Sequence, residues 1–127
     1  MSKLDVVAAA LSVMDKHILA LNSHNEKVLA ETIHFPHIRL SAAQLKIWET
    51  PESYFIDFQK RAGGDWHHSQ FNDIKVLAKS THKVHLDAEI IRYDQNNLII
   101  NRFRSLWVIT DEKGHWAAKM RSSFASA

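Results

Sequence analysis

The sequence contains no cysteine. Disulfides, iron–sulfur clusters and thiolate zinc sites are therefore excluded, and the composition fits a reducing compartment. Glycine and proline are scarce, at 3 and 2 residues, and no glycine-rich loop of the kind that cradles a phosphate is present. No apolar run approaches the roughly 20 residues needed to span a bilayer, so no membrane partner is expected. Asp5, Asp15 and Lys16 interrupt the first apolar residues, which predicts no secretory leader. The cytoplasm is the expected location by elimination. An excess of one charge is also missing. The 16 basic and 14 acidic residues leave a net charge of +2, and they are interspersed along the chain. A nucleic-acid footprint needs a basic stripe or patch, so no nucleic-acid partner is expected.

Several catalytic signatures are absent too. There is no Gly-x-Ser-x-Gly and no Ser–His–acid order. The 9 histidines include no His-x-x-x-His or His-x-x-Glu-His pattern. His34 and His37 are three apart on an extended segment, and His67 and His68 are adjacent, so both pairs should diverge. No metal and no cofactor are expected.

What remains is 46% hydrophobic and 24% charged, the balance of a soluble globular protein. The length suits a single domain over residues 1–127 with a core large enough to stand without staples. Leu4, Ala8, Leu11, Met14, Ile18 and Leu21 recur at helical spacing, with Ser2 and Asp5 as the capping pattern. Ser23 and Glu26 form a second capping pattern and predict a short helix to about Thr32. Thr50–Pro51–Glu52 opens a third helix, which buries Tyr54, Phe55, Phe58 and Ala62 and stops at Gly63–Gly64. Pro36 argues against helix between His34 and Trp48, so two short strands are predicted, about Pro36–Leu40 and Gln44–Trp48. Four longer strands follow, near Trp66–Lys79, Lys83–Tyr93, Leu98–Thr110 and His115–Phe124, joined by short polar turns.

Pairing Asp94 with Asn97 puts Glu89 opposite Arg102 and Asp87 opposite Arg104, a favourable arrangement of charge. The same register gathers Val84, Leu86, Ala88, Phe103, Ser105 and Trp107 on one face. Pairing Thr110 with His115 adds Trp116, Ala118, Met120, Ser122 and Phe124 to that face and leaves Lys119 and Arg121 on the other. Three helices with an apolar side and a curved antiparallel sheet with an apolar face must cover each other. The expected fold class is α+β, a cone whose sheet is closed on one side by the helices of the N-terminal half.

Element order and several strings, His34–Phe35–Pro36–His37–Ile38–Arg39, Trp66–His67–His68–Ser69, Lys83–Val84–His85–Leu86–Asp87 and Arg121–Ser122–Ser123–Phe124–Ala125, resemble the nuclear-transport-factor-2-like superfamily. That superfamily includes ketosteroid isomerase and the SnoaL-like polyketide cyclases, and the strings resemble an uncharacterised bacterial group within it. The resemblance covers nearly the whole chain. It implies an internal cavity for a small, mostly apolar ligand and a homodimer through the outer sheet face.

The isomerase of that superfamily carries a carboxylate base near the end of its first strand. This chain has no acid from Thr32 to Trp48. His37 and Arg39 share a face of that strand instead. They read either as a pair that holds a carboxylate or enolate, with His37 as proton shuttle, or as a backbone-bonded His and an Arg paired with Glu31. If Ala78, Val76 and Ile74 face inward, His68 follows on that face, either as a pocket group or at a strand end that meets water. Trp107, Trp116, Phe103, Phe124 and Met120 read as core or as pocket lining. The candidate ligand contacts are thus His37, Arg39, Tyr54, Trp66, His68, Trp107, Trp116 and Met120, with no catalytic residue assigned. His85, Asp87, Arg102, Arg104 and Arg121 are the candidate dimer contacts. The activity is either binding, with cofactor-free isomerisation, dehydration or cyclisation as its chemistry, or partner interaction through the sheet face around a filled cone.

Overall fold

A computed structural model of the chain describes residues 5–125, the side chain of Arg61 excepted. Three helices precede or interrupt the strands: α1 (Val6–Asn22), α2 (Glu26–Glu31) and α3 (Pro51–Ala62). Asp5 caps α1, its carboxylate accepting from the amides of Val7 and Ala8. The expected Ser2 and Leu4 lie outside the described residues. The buried seam of α1 runs through Ala10, Met14, His17 and Leu21, one row over from the stripe expected from Leu11 and Ile18. The start of α2 also differs from expectation. Asn25 caps it by accepting from the Val28 amide, while Ser23 closes α1 by donating to the Leu19 carbonyl. The opening of α3 follows the sequence signals, with Thr50 and Ser53 bonded reciprocally and Pro51 in the first turn. Gly63, at φ 84°, ends it in a conformation that favours glycine.

Six strands form one open curved sheet in the order β2-β1-β6-β5-β4-β3. They are β1 (Ile33–Ser41), β2 (Gln44–Trp48), β3 (His68–Lys79), β4 (Lys83–Tyr93), β5 (Ile99–Glu112) and β6 (His115–Ser123). The sheet is mixed and not purely antiparallel, because β1 runs parallel to β6. β4 pairs with β5 two residues away from the expected register, with Leu86 opposite Trp107 and Ala88 opposite Ser105. A shift of two preserves the faces, and the ion pairs Arg104–Asp87 and Arg102–Glu89 form diagonally.

Two bulges decide which polar residues enter the cone. In β3, Asn72 pairs with Glu89 but Lys75 pairs with Asp87, so Asp73 and Ile74 oppose one residue. Asp73 takes φ 52° there. The extra residue inverts the alternation, turning Ser69 and Phe71 inward and Gln70 and His68 outward. In β6, Ile109 pairs with Ala118 and Val108 with Met120, which leaves Lys119 as the extra residue. Beyond it Arg121 lies opposite Trp107 and Ser123 opposite Ser105, on the inner face. Met120 moves to the outer face.

Two apolar clusters fill the cone. One joins Ala10, Val13 and Met14 of α1 to Val84, Leu86, Trp107 and Ile109 of the sheet. The other joins Ala20, Leu21 and Leu29 to Ile33, Trp48, Tyr54 and Phe58.

A candidate anion cavity between the two clusters

Where the clusters meet, the inner face of the sheet is basic. Arg39 of β1 neighbours Arg121 of β6, and Arg121 neighbours Trp107 of β5. Arg39, Arg92 and Arg121 are all buried, at 6%, 8% and 8% exposure. They line one small cavity of about 30 Å³ with His17, Tyr54 and Ser105. No acidic side chain is among its described lining residues. Such a volume holds one or two waters or the oxygens of a small anionic group.

Arg121 is held by two residues, Tyr54 and Trp107. Its Nη2 donates to the Tyr54 hydroxyl at 2.9 Å, and its guanidinium lies 4.9 Å above the Trp107 ring and 5.4 Å from the Tyr54 ring. Its Nε is buried and has no hydrogen-bond partner among the described residues, nor has the buried Ser105 hydroxyl. Arg39 donates weakly to the Ser123 hydroxyl at 3.4 Å, and Arg92 stacks over Phe103 at 4.8 Å.

His17 approaches from α1. Its ring meets Trp107 edge-on at 5.1 Å, and its Nδ1 lies 2.9 Å from the Thr32 hydroxyl. That hydroxyl donates its own proton to the Leu29 carbonyl at 2.7 Å. Burial, and then the positive charge of Arg121, push the His17 pKa down to about 3. The imidazole is therefore neutral.

A second pocket, about 150 Å³, opens between the end of α1 and α3. Leu21 and Phe58 line both spaces and form the wall between them. Phe55, Ala62 and Trp66 make the rest of its apolar lining.

The expected contacts are divided by this geometry. Arg39 and Tyr54 line the inner cavity, and Trp107 lies outside its lining, with its ring 4.9 Å from the Arg121 guanidinium. His37 is buried beside it, stacked on Trp48 at 6.0 Å and edge-on to Tyr54, with Nδ1 donating to the Ala118 carbonyl at 3.0 Å. Trp66 lines the outer pocket and donates from Nε1 to the Ser69 hydroxyl at 2.8 Å. Trp116 lies elsewhere, in a cleft between α1, α2 and the turn before β6. Two placements correct the expectation. His68 stacks on Tyr93 at 4.8 Å on the outer face, because the Asp73 bulge turns it out. Met120 also faces outward, 39% exposed, because of the β6 bulge.

The same bulge removes Arg121 from the expected dimer contacts. His85, Asp87, Arg102 and Arg104 remain on the outer face, where Arg104 pairs with Asp87 at 3.0 Å and Arg102 with Glu89 at 2.7 Å. The hydrogen bond from Arg102, then that from Asn72, holds the Glu89 pKa down at about 2.

His17, Arg92 and Ser105 were not singled out by the sequence reading. The available signal for His17 was its place between Met14 and Leu21 at helical spacing. For the bulge in β3 it was Asn72–Asp73, a pair tolerant of left-handed backbone in the middle of a strand.

No protein-family model matches the chain, and no curated protein matches it. Solved structures match in shape while differing in sequence. A cystatin-like-fold protein from Nostoc punctiforme superposes with TM-score 0.76 at 7% identity, covering 99% of this chain and 96% of its own. An NTF-2-like protein from Shewanella oneidensis gives 0.74 at 11%, covering 94% and 98%. The hexachlorocyclohexane dehydrochlorinase LinA-type3 from Novosphingobium barchaimii gives 0.69 at 13%, covering 93% and 84%. The first two are described as proteins of unknown function. The fold is thus the nuclear-transport-factor-2-like, or cystatin-like, cone of α+β type. At these identities the likeness carries the fold, and activity must come from the site.

Proposed function

We propose that the protein binds a small, largely apolar molecule through an anionic or carbonyl oxygen held against Arg121 inside the cone. The observation that carries this reading is the pair of donors unpartnered among the described residues, Arg121 Nε and Ser105 Oγ, on residues that line one small cavity. Buried donors without acceptors are rare and costly, and both belong to residues that line this space. Arg39, Arg92 and Tyr54 add positive charge and polar contact around the same space. Any turnover proposed for such a site is cofactor-free proton transfer, as in an isomerisation, dehydration or cyclisation. The cytoplasm is the proposed location, in keeping with a cysteine-free chain.

A thermal-shift screen of carboxylates, phenols, steroids and polyketide-like compounds tests this. A ligand at a hundred times its dissociation constant stabilises by about 2.7 kcal/mol. The expected result is a saturable carboxylate hit that disappears in Arg121→Met. A blank across the library, or a hit indifferent to Arg121→Met, would overturn the reading.

A second reading concerns the outer face. Ile47, Ile38, Met120 and Val108 are neighbours across four strands, and Ile47, Leu40 and Met120 are exposed at 56%, 42% and 39%. An apolar row beside the Asp87–Arg104 pair suits a homodimer or a partner protein. Sedimentation of Met120→Asp and Arg104→Glu tests it. A dimer lost in either variant supports it, and a wild-type monomer that captures no partner sinks it.

A further inference from the structure

We propose that His17 accepts a hydrogen bond from a hydroxyl group beside the ligand's anionic head, which makes the ligand class an apolar-tailed hydroxy acid. This rests on the anion-binding reading of the same cavity and narrows it.

The argument begins with the tautomer. Thr32 spends its only hydroxyl proton on the Leu29 carbonyl, so its oxygen must accept from His17. The proton of the neutral imidazole therefore sits on Nδ1, and Nε2 carries the lone pair. Thr32 itself lines a different cleft, between α1 and α2, so the Nδ1 edge is turned away from the arginines. The Nε2 edge is the one left for the cavity that His17 lines.

The cavity then presents two kinds of group. Arg121 and Ser105 offer donors, and His17 Nε2 offers an acceptor. Both meet on one indole: Arg121 lies over the Trp107 ring at 4.9 Å, and the His17 ring stands at 71° to it with centroids 5.1 Å apart. A plain carboxylate would offer nothing to donate to the Nε2 lone pair that faces it. A carboxylate with a neighbouring hydroxyl satisfies both. A site built around such a hydrogen bond discriminates against the analogue that lacks it, because the buried partner is then left unpaired. Protonation of His17, the alternative means of avoiding that conflict, is opposed by burial and by Arg121.

The outer pocket supplies the remaining selectivity. The inner space of about 30 Å³ holds only the oxygens of the head group. A tail extending past Leu21 and Phe58 enters the space of about 150 Å³ where Phe55 and Trp66 meet the polar His24, Glu26 and Gln59. An aryl or short branched aliphatic tail fits that lining.

Calorimetry on the full chain with matched probes tests the proposal: mandelate against phenylacetate, and 3-phenyllactate against hydrocinnamate. The hydroxy acid of each pair should bind about tenfold tighter, the value of one well-made hydrogen bond. His17→Leu and Thr32→Val should each shrink that ratio to about twofold or less. Nitrogen-15 NMR of the wild-type protein reads the same point without a variant. His17 should carry its proton on Nδ1, and its Nε2 resonance should move with mandelate and stay with phenylacetate. Equal affinities within a pair, or a proton on Nε2, overturn this inference while leaving the anion site intact. Failure of all four acids to bind overturns both.

Discussion

Arg121 donates to the Tyr54 hydroxyl across 2.9 Å and so ties strand β6 to helix α3. Both residues are buried, and the bond spans the boundary between the two apolar clusters. Tyr54→Phe keeps the ring that packs on Trp48 and Phe55 and removes the hydroxyl that accepts from Arg121. A hydrogen bond to a charged group is worth about 1.5–3 kcal/mol. Urea unfolding of Tyr54→Phe should show a loss of that size in midpoint with an unchanged slope. A midpoint equal to wild type would mean that the strut contributes nothing.

The neutral state of His17 makes stability depend on pH. Its folded pKa is lowered to about 3, against 6.5 in an unfolded chain. Between those values the unfolded chain holds a proton that the folded chain refuses. Stability from this group is therefore complete above pH 6.5 and falls with pH until about 3, by about 1.4 kcal/mol per unit across the window. Chemical unfolding at pH values above and within the window should reveal that slope. His17→Leu should flatten the upper part of it, where the half-buried carboxylate of Glu89, held near 2, does not titrate.

Much of this architecture was legible in local signals. Thr50, Pro51 and Gly63 mark α3 because caps and breakers act within a few residues. The face shared by Val84, Leu86, Ala88 and Trp107 was legible because alternation survives a register slip of two. What escaped were the parity changes. A bulge costs one residue and leaves no periodic trace, yet those at Asp73 and Lys119 exchange His68 for Ser69 and Met120 for Arg121 as inward groups. His17 escaped for a different reason. A histidine beside an apolar stripe looks like a boundary residue until the sheet sets the helix rotation.

Arg121 should weigh against stability while serving the site. Its guanidinium is buried with Nε unmet among the described residues, so desolvation of the charge and of that donor opposes what the Tyr54 bond contributes. Arg121→Met keeps an unbranched chain on Trp107 and removes the charge. Its urea midpoint should equal or exceed that of wild type, while stabilisation by carboxylates disappears. A large loss of stability would place Arg121 among the structural residues instead.

The Asp73 bulge is open to a direct test, because its backbone sits at φ 52°. Aspartate and asparagine tolerate the left-handed region, and a β-branched residue does not. Asp73→Asn should stay close to wild type, losing only the exposed contacts to Arg104 at 3.5 Å and Lys75 at 3.6 Å. Asp73→Val should cost about 1–2 kcal/mol. Deleting Asp73 is the more severe change, since it removes the extra residue and restores alternation from His68 to Val76, leaving the second shift between Val76 and Ala78 in place. His68 would then turn into the cone and Ser69 out of it, breaking the Trp66–Ser69 bond and the paired bonds between Asn22 and the Ser69 backbone, all at 2.8 Å. The deletion should lower the urea midpoint further than either substitution. A deletion variant as stable as wild type would show that β3 repairs its own register, and that the inward placement of Ser69 does not depend on the bulge.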